Sequence, residues 1–324
     1  MLDVADLSAP LPQRLLWRGD DLPARAGRIA LSAAVEQELD QVVAALDRAP
    51  LPLLLLRPED FALDASRAFI RDVKDSLDHG PGFAIVDRLP VERWSQAGTR
   101  AVWWLLASLV ARPVAQKWDG TSIYDVCDLG RPPGNGVRPD VTNAEQNFHT
   151  DNSYNHVPPH YVGLMCLRTA MEGGVSGIVS FATAHEEMRR HHPDLLARLY
   201  QPFYFDRQRE HAPDDVMTTY HPMFEREHGR LIARLSHFQV KNGHKLAGAE
   251  IDQRGAAALE AFEAILNAPG MAARFHFQPG QIQLIDNRAL GHKRTAFRDW
   301  PEAERKRLLV RLWLRDSGSR AYDG

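Results

Sequence analysis

The distribution of apolar and polar positions changes character near residue 148. Before it, apolar residues recur mainly at helical spacing. Ser32 ahead of 33–45, with Glu36 near capping-box spacing, predicts a helix with Ser32 as its N-cap. Phe69, Val73 and Leu77, four residues apart, predict a second helix over 66–77 that His79-Gly80-Pro81-Gly82 terminates. Val102, Leu105, Leu106 and Leu109 form the core stripe of a third over 91–110, stopped by Arg112-Pro113. The segment 83–86 reads as a short buried strand, and 1–31 as an irregular arm.

After residue 148, short apolar runs and alternating segments take over. The runs 161–167 and 178–181 read as strands on either side of a hairpin-type turn at Gly173-Gly174. Further strands are predicted at 223–224, 231–235, 274–277, 281–285 and 308–314, and helices at 184–190, 193–200 and 255–266, the last preceded by Asp252. The fold class predicted is mainly β with flanking helices, in a closed or double-sheet arrangement. No repeat or low-complexity segment divides the chain, so 1–324 reads as one domain, its N-terminal third (about 1–115) mostly helical and packed on the β core. Between the two halves, 128–146 holds three prolines, three glycines and no periodicity. Structureless stretches of that length in a compact domain are usually functional or mobile, which makes this one a candidate lid.

Composition narrows the function. The chain is 44% hydrophobic and 25% charged, with net charge −3 and pI near 6.5. That balance carries no basic footprint for nucleic acid. No apolar run approaches the roughly 20 residues that span a bilayer, and 1–16 is interrupted by Asp3, Asp6 and Arg14, unlike a signal peptide. A cytoplasmic protein with a small-molecule partner is the expectation, and self-association into a homo-oligomer is compatible with it. Two distant cysteines, Cys127 and Cys166, exclude a zinc framework or a disulfide scaffold.

The candidate chemistry lies at 147–152, where His149 and Asp151 stand two residues apart. In an extended strand they would share a face, supplying an imidazole and a carboxylate for a metal. Joined by a second histidine, they would form the two-His, one-carboxylate set that leaves positions open on ferrous iron. The same spacing recurs at His192 and Asp194, but there it marks a helix junction where a carboxylate serves the first turn. Position leaves the third ligand open among His292, His221, His237 and His276. Along 307–315, Leu308, Val310, Leu312 and Leu314 fall on one face and Arg307, Leu309, Arg311, Trp313 and Arg315 on the other. Arg307 and Arg311 would lie about 13 Å apart, a separation that suits two anionic partners better than one.

These residues together resemble the taurine dioxygenase and clavaminate synthase-like group, the TauD/TfdA family of Fe(II)- and 2-oxoglutarate-dependent oxygenases. The resemblance runs through 16–22, 82–83, 147–152, 166–168, 173–176 and 292–297 to 307–314. It implies a double-stranded β-helix (jelly-roll) core in which His149, Asp151 and His292 hold iron. It also implies that Arg307 and Ser176 bind the distal carboxylate of 2-oxoglutarate, a role suited to a planar, permanently charged guanidinium. Such an enzyme uses O2 to hydroxylate an unactivated carbon, releasing succinate and CO2; desaturation or cyclisation differs only in the fate of the substrate. Arg311, Asn143, Asn152, Tyr154 and His156 flank the metal motif or share the face of Arg307, and are the candidate substrate contacts for a small polar or amino-acid-like molecule. The alternatives are a non-catalytic small-acid sensor on the same fold and a metal-dependent hydrolase that activates water.

Overall fold

A computed structural model describes residues 7, 9–132 and 137–322. Two β-sheets face each other, and their alternating residues determine what each face meets. The larger has the strand order Arg28–Ile29, Phe83–Val86, Ile282–Asp286, Tyr161–Arg168, Leu308–Arg315 and Arg112–Val114, with Ile123–Val126 also paired to Leu308–Arg315. The smaller has the order Ala273–Phe275, Ser176–Ser180, Leu290–Arg294 and Gln146–His149. Phe83, Ile85, Ile285 and Trp313 meet Ile178 and Leu290 between the sheets. Ala84, Val86, Ile282, Leu284, Val310, Leu312 and Leu314 face outward, beneath the helices. The double-stranded β-helix expectation agrees with this arrangement.

Those helices are Ala33–Arg48, Asp64–Asp78 and Gln96–Val110, as the apolar stripes predict. Ser32 caps the first, accepting from the Val35 N–H at 3.3 Å. The third begins at Gln96, five residues later than expected. Ser95 caps it, accepting from Gly98 N–H at 3.0 Å, and Trp94 Nε1 donates to Asp40 at 2.7 Å, tying the preceding turn to the first helix. Four more helices, Phe181–His191, Pro193–Leu199, His237–Ala247 and Gln253–Leu266, flank the smaller sheet, where Val179 and Phe148 pack with Leu196, Leu259 and Phe262. His237–Ala247 is absent from the sequence expectation because its buried side, Gln239, Val240, Gly243 and His244, holds a single aliphatic residue. Phe181, assigned to a strand by its apolar run, instead opens a helix capped by Ser180. Among the described residues no helix is long and apolar enough to cross a membrane.

The predicted hairpin at Gly173-Gly174 is not formed. Tyr161–Arg168 and Ser176–Ser180 belong to different sheets, and Gly173 pairs with Phe297 instead. Both glycines have positive φ, +78° and +67°, so the chain crosses from one sheet to the other where a simple reversal was expected.

One packing contact has a measurable consequence. The Trp103 ring lies over Gly163 in the central strand, 2.6 Å from where a Cβ would stand, and its Nε1 donates to Val310 O at 3.2 Å. Gly163→Ala is therefore expected to lower stability by about 1–3 kcal/mol, the usual range for overpacking a full core. A fall in the denaturant midpoint at constant m value would report it, and an unchanged midpoint would contradict this account of the contact.

Candidate metal centre and its two cavities

His149 ends the strand Gln146–His149, and His292 is its direct partner on Leu290–Arg294. That register brings the ring centroids to 4.2 Å. His149 Nδ1 lies 2.9 Å from Asn147 O, an arrangement that places the proton on Nδ1 and leaves the Nε2 lone pair facing inward. Gln146 Nε2 lies 2.9 Å from that Nε2, a contact that metal coordination would replace.

Asp151 is not on the strand, which stops at His149, so simple alternation does not place it. The side chain of Asn287 does. The Asp151 N–H donates to Asn287 Oδ1 at 2.8 Å, and its carbonyl accepts from Asn287 Nδ2 at 2.9 Å. Asn287 thus stands in for a neighbouring strand where the sheet has ended. The carboxylate Oδ1 then lies 3.4 Å from His149 Nε2 and 3.5 Å from His292 Nε2. One donor atom from each of the three residues lies within 4.8 Å of the others. Two imidazole nitrogens and one carboxylate oxygen suit a first-row divalent metal and leave part of its coordination sphere open.

The other carboxylate oxygen is occupied. Asp151 Oδ2 accepts from Trp313 Nε1 at 2.7 Å and ion-pairs with Arg311 Nη1 at 3.2 Å, leaving Oδ1 for the metal. Burial pushes the Asp151 carboxyl up, but Arg311 and the hydrogen bonds to His149 and His292 outweigh it and hold the group well below the usual carboxylate range. Burial, with the neighbouring His149 ring, holds the His292 imidazole below its ordinary value, which keeps it neutral and able to ligate. Trp313→Phe, which keeps an aromatic ring of smaller volume and removes the donor, is expected to weaken Fe(II) binding about tenfold in an anaerobic titration, the lower end of what loss of an outer partner costs. Wild-type affinity in the folded variant would show that the indole does not orient Asp151.

A cavity of about 40 Å³ opens from this face between the sheets, lined by Ser176, Gln283, Arg294, Arg307, Leu309 and Arg311. Arg307 is 5% exposed, and among the described residues no carboxylate lies within ion-pair distance of its guanidinium. Burial pushes it down to about 10, and Phe297 lies 5.1 Å beneath it. Arg294 packs over the other side of the cavity wall and donates to the carbonyls of Ala144 at 2.6 Å and of Pro139 and Thr142 at 3.3 Å. It thereby fixes the end of the irregular segment 128–146, of which 133–136 lie outside the described residues. All three arginines of 307–315 are buried, unlike those of a half-solvated strand.

A second cavity of about 210 Å³ adjoins the first through Asp140, Gln146, His149, Asp151 and Arg311. Its far wall carries Arg138, which donates to Asp140 Oδ2 at 2.6 Å and ion-pairs with Glu210. The Tyr154 hydroxyl donates to Glu210, and burial pushes it up to about 12. Of the candidate substrate contacts, Asn152, Tyr154 and Arg311 line this cavity. Asn143 and His156 are exposed and line neither cavity; the Asn143 carbonyl accepts from Phe297 N–H at 3.1 Å, and the His156 ring meets His221 edge-on at 5.5 Å. Neither His221 nor His276 joins the metal face, and His237 pairs with Glu263 at the rim. His192 and Asp194 are exposed at a helix junction. Asn287, Trp313, Arg294, Arg138 and Asp140 carry no local sequence signal, since their site contacts reach residues far along the chain or depend on burial.

A family model described as "Taurine catabolism dioxygenase TauD, TfdA family" matches residues 47–313. The chain is 24% identical to FR-33289 synthase of Streptomyces rubellomurinus, over 98% of this chain and 93% of that protein. It is 23% identical to the taurine hydroxylase-like protein SAT17 of Stachybotrys chartarum, over 94% and 80% respectively. Its fold resembles that of an asparagine oxygenase crystallised with Fe(II), 2S,3S-3-hydroxyasparagine and succinate (TM-score 0.64, 18% identity, 90% of this chain and 94% of that one). It also resembles the non-heme iron oxygenase OrfP in complex with Fe and alpha-ketoglutaric acid (TM-score 0.64, 13% identity, the same coverage).

Proposed function

The chain belongs to the TauD/TfdA dioxygenase family, and from that premise we propose that it is an Fe(II)- and 2-oxoglutarate-dependent oxygenase that hydroxylates a small polar or amino-acid-like molecule. The observation that carries this reading is Arg307: a buried guanidinium with no carboxylate within ion-pair distance among the described residues, in a cavity that opens on the His149, Asp151 and His292 donors. A buried cation is costly unless something anionic meets it. A dicarboxylate that reaches from the metal to Arg307 answers that requirement. A zinc hydrolase would leave it unexplained.

In this reading His149, Asp151 and His292 hold the iron, and Arg307 with Ser176 receives the distal carboxylate of 2-oxoglutarate. Bound there, iron and 2-oxoglutarate supply the activation of O2, with one oxygen atom going to the substrate as hydroxyl and the other to succinate as CO2 leaves. The chain's own part is positioning and exclusion. Asn287 holds the Asp151 backbone, and Trp313 and Arg311 engage one oxygen of its carboxylate, leaving the other free. Arg294 secures the 139–144 turn across the cavity wall through three backbone carbonyls. The larger cavity takes the substrate, with Asn152, Tyr154 and Arg311 on its lining. The hydroxylated amino acids bound by the asparagine oxygenase and by OrfP support a molecule of that size. The match over 47–313 supports reading the chain as one oxygenase domain.

Anaerobic addition of Fe(II) and 2-oxoglutarate is expected to produce the visible metal-to-ligand charge-transfer band, and air to release succinate when a substrate is present. Well-folded protein that binds Fe(II) and forms no band would overturn the assignment.

A further inference from the structure

Asp151 keeps one oxygen free because the other is engaged, and one of the groups that engage it is itself held from outside the site. Arg311 Nη1 ion-pairs with Asp151 Oδ2 at 3.2 Å and stands 3.6 Å from Asp140 Oδ2. An arginine side chain has many rotamers, and two carboxylates compete for this one. Further contacts decide between them. Arg311 Nε donates to Gln116 Oε1 at 2.8 Å. Its guanidinium carbon lies over the Tyr124 ring, 4.9 Å from the centroid, and over the Trp313 ring at 5.0 Å.

Gln116 and Tyr124 come from a part of the chain remote from the metal motif. Arg112–Val114 and Ile123–Val126 pair with Leu308–Arg315, and Tyr124 is the direct cross-strand partner of Arg311. Gln116, 1% exposed, lies in the segment that joins those two strands. Both hydrogens of its side-chain amide are taken by carbonyls, that of Arg311 at 2.9 Å and that of Ser122 at 3.1 Å. Oε1 is therefore the atom that faces Arg311 Nε, since the reversed amide would set N–H against N–H. The Gln116 backbone N–H donates to Thr121 O at 2.6 Å, which fixes the residue itself. With Nε held and the guanidinium set against the two rings, Nη1 falls on Asp151 Oδ2, the shorter of its two carboxylate contacts. Resting on the oxygenase reading, we propose that Gln116 and Tyr124 are positioning residues for the iron site. Acting through Arg311, they commit Asp151 Oδ2 and leave Oδ1 to the metal. Neither residue lines the two cavities at the metal face, so their effect falls on the ligand set and not on a contact with substrate.

The test is an anaerobic equilibrium titration of the full chain with Fe(II) alone, with the denaturant midpoint measured on the same samples. Gln116→Met keeps the length of the side chain and removes its polar atoms; Gln116→Glu keeps an acceptor for Arg311 Nε and loses the amide donors. Both are expected to lower the midpoint, because both leave the Arg311 and Ser122 carbonyls without their donor. Metal affinity separates them. Gln116→Met should weaken Fe(II) binding about three- to tenfold, less than loss of a group that touches the ligand directly, and Gln116→Glu should stay within about twofold of the wild type. A residue that only braced the backbone would make the two variants weaken together. Tyr124→Leu should weaken Fe(II) about threefold or more, while Tyr124→Phe, which keeps the ring face, should bind as the wild type does. That second pair decides the matter even if the Gln116 variants do not fold. Wild-type affinity in folded Gln116→Met or Tyr124→Leu, or Gln116→Glu no tighter than Gln116→Met, would overturn the proposal. Wild-type protein that takes up no stoichiometric Fe(II) refutes the oxygenase reading and this proposal with it; normal wild-type binding with unmoved variants refutes this proposal alone.

Discussion

Arg307→Ala is expected to raise the concentration of 2-oxoglutarate needed to form the charge-transfer band by at least about 30-fold and up to several-thousand-fold, while Fe(II) binding stays near that of the wild type. The range follows from the partner left behind. Removing one member of a buried, hydrogen-bonded charge pair costs about 2–5 kcal/mol, mostly because the other charge is stranded. Arg307 sits beyond the metal face, between Leu309 and the Phe297 ring, and among the described residues no other cation in that cavity is without protein partners. Lys293 reaches Glu145 and Asn267, Arg294 is committed to three carbonyls, and Arg311 to Asp151 and Gln116. No neighbour is therefore placed to substitute. Arg307→Lys should recover only part of the affinity, because an ammonium cannot present the planar fork that a carboxylate accepts. Retained 2-oxoglutarate affinity in a folded Arg307→Ala protein would remove this residue from the cosubstrate site and leave the buried charge without a role.

Asp151→Ala should have the larger effect on the metal. Loss of an outer partner typically weakens a metal site about 10- to 100-fold, and loss of the carboxylate ligand itself should exceed that. Two histidines would remain, together with Trp313 Nε1, left without the oxygen it now donates to, and Arg311 Nη1, left without the carboxylate it now pairs with. The Arg311 charge, close to the vacated position and left with Asp140 at 3.6 Å as its ion-pair partner, would further oppose a cation. Anaerobic equilibrium titration with Fe(II) is expected to show no stoichiometric binding, and succinate release should fall to background. Circular dichroism on the same sample separates this from unfolding, since the backbone bonds between Asp151 and Asn287 survive the substitution. Stoichiometric Fe(II) binding by the folded variant would mean that the metal lies elsewhere.

Much of the frame was legible in local pattern. The helices over 33–48 and 64–78 follow from a cap and an apolar stripe, features set by residues within one or two turns. The alternation at 307–315 separated the outward leucines from the inward arginines. Where the pattern misled, the cause was the partner strand. Tyr161–Arg168 and Ser176–Ser180 are separated by a glycine turn as a hairpin's strands would be, but each hydrogen-bonds into a different sheet. The helix His237–Ala247 turns a mainly polar side inward, against the sheet pair Pro202–Asp206 and Thr218–Pro222, so no apolar stripe announced it.

The site divides in the same way. By itself the sequence determined the ligand types and the spacing of His149 and Asp151, along with a strand carrying arginines on one face, because side-chain chemistry and strand parity are local properties. Four histidines competed for the third position, and only the pairing of His292 with His149 across two strands selected one by geometry. The tertiary structure alone decided that Asp151 is held by Asn287, 136 residues away, and by Trp313, 162 residues away. It alone buried Arg307 with no carboxylate within ion-pair distance among the described residues. Whether a charge is satisfied depends on which distant groups share its low-dielectric surroundings, and register and burial across sheets, not local periodicity, decide that.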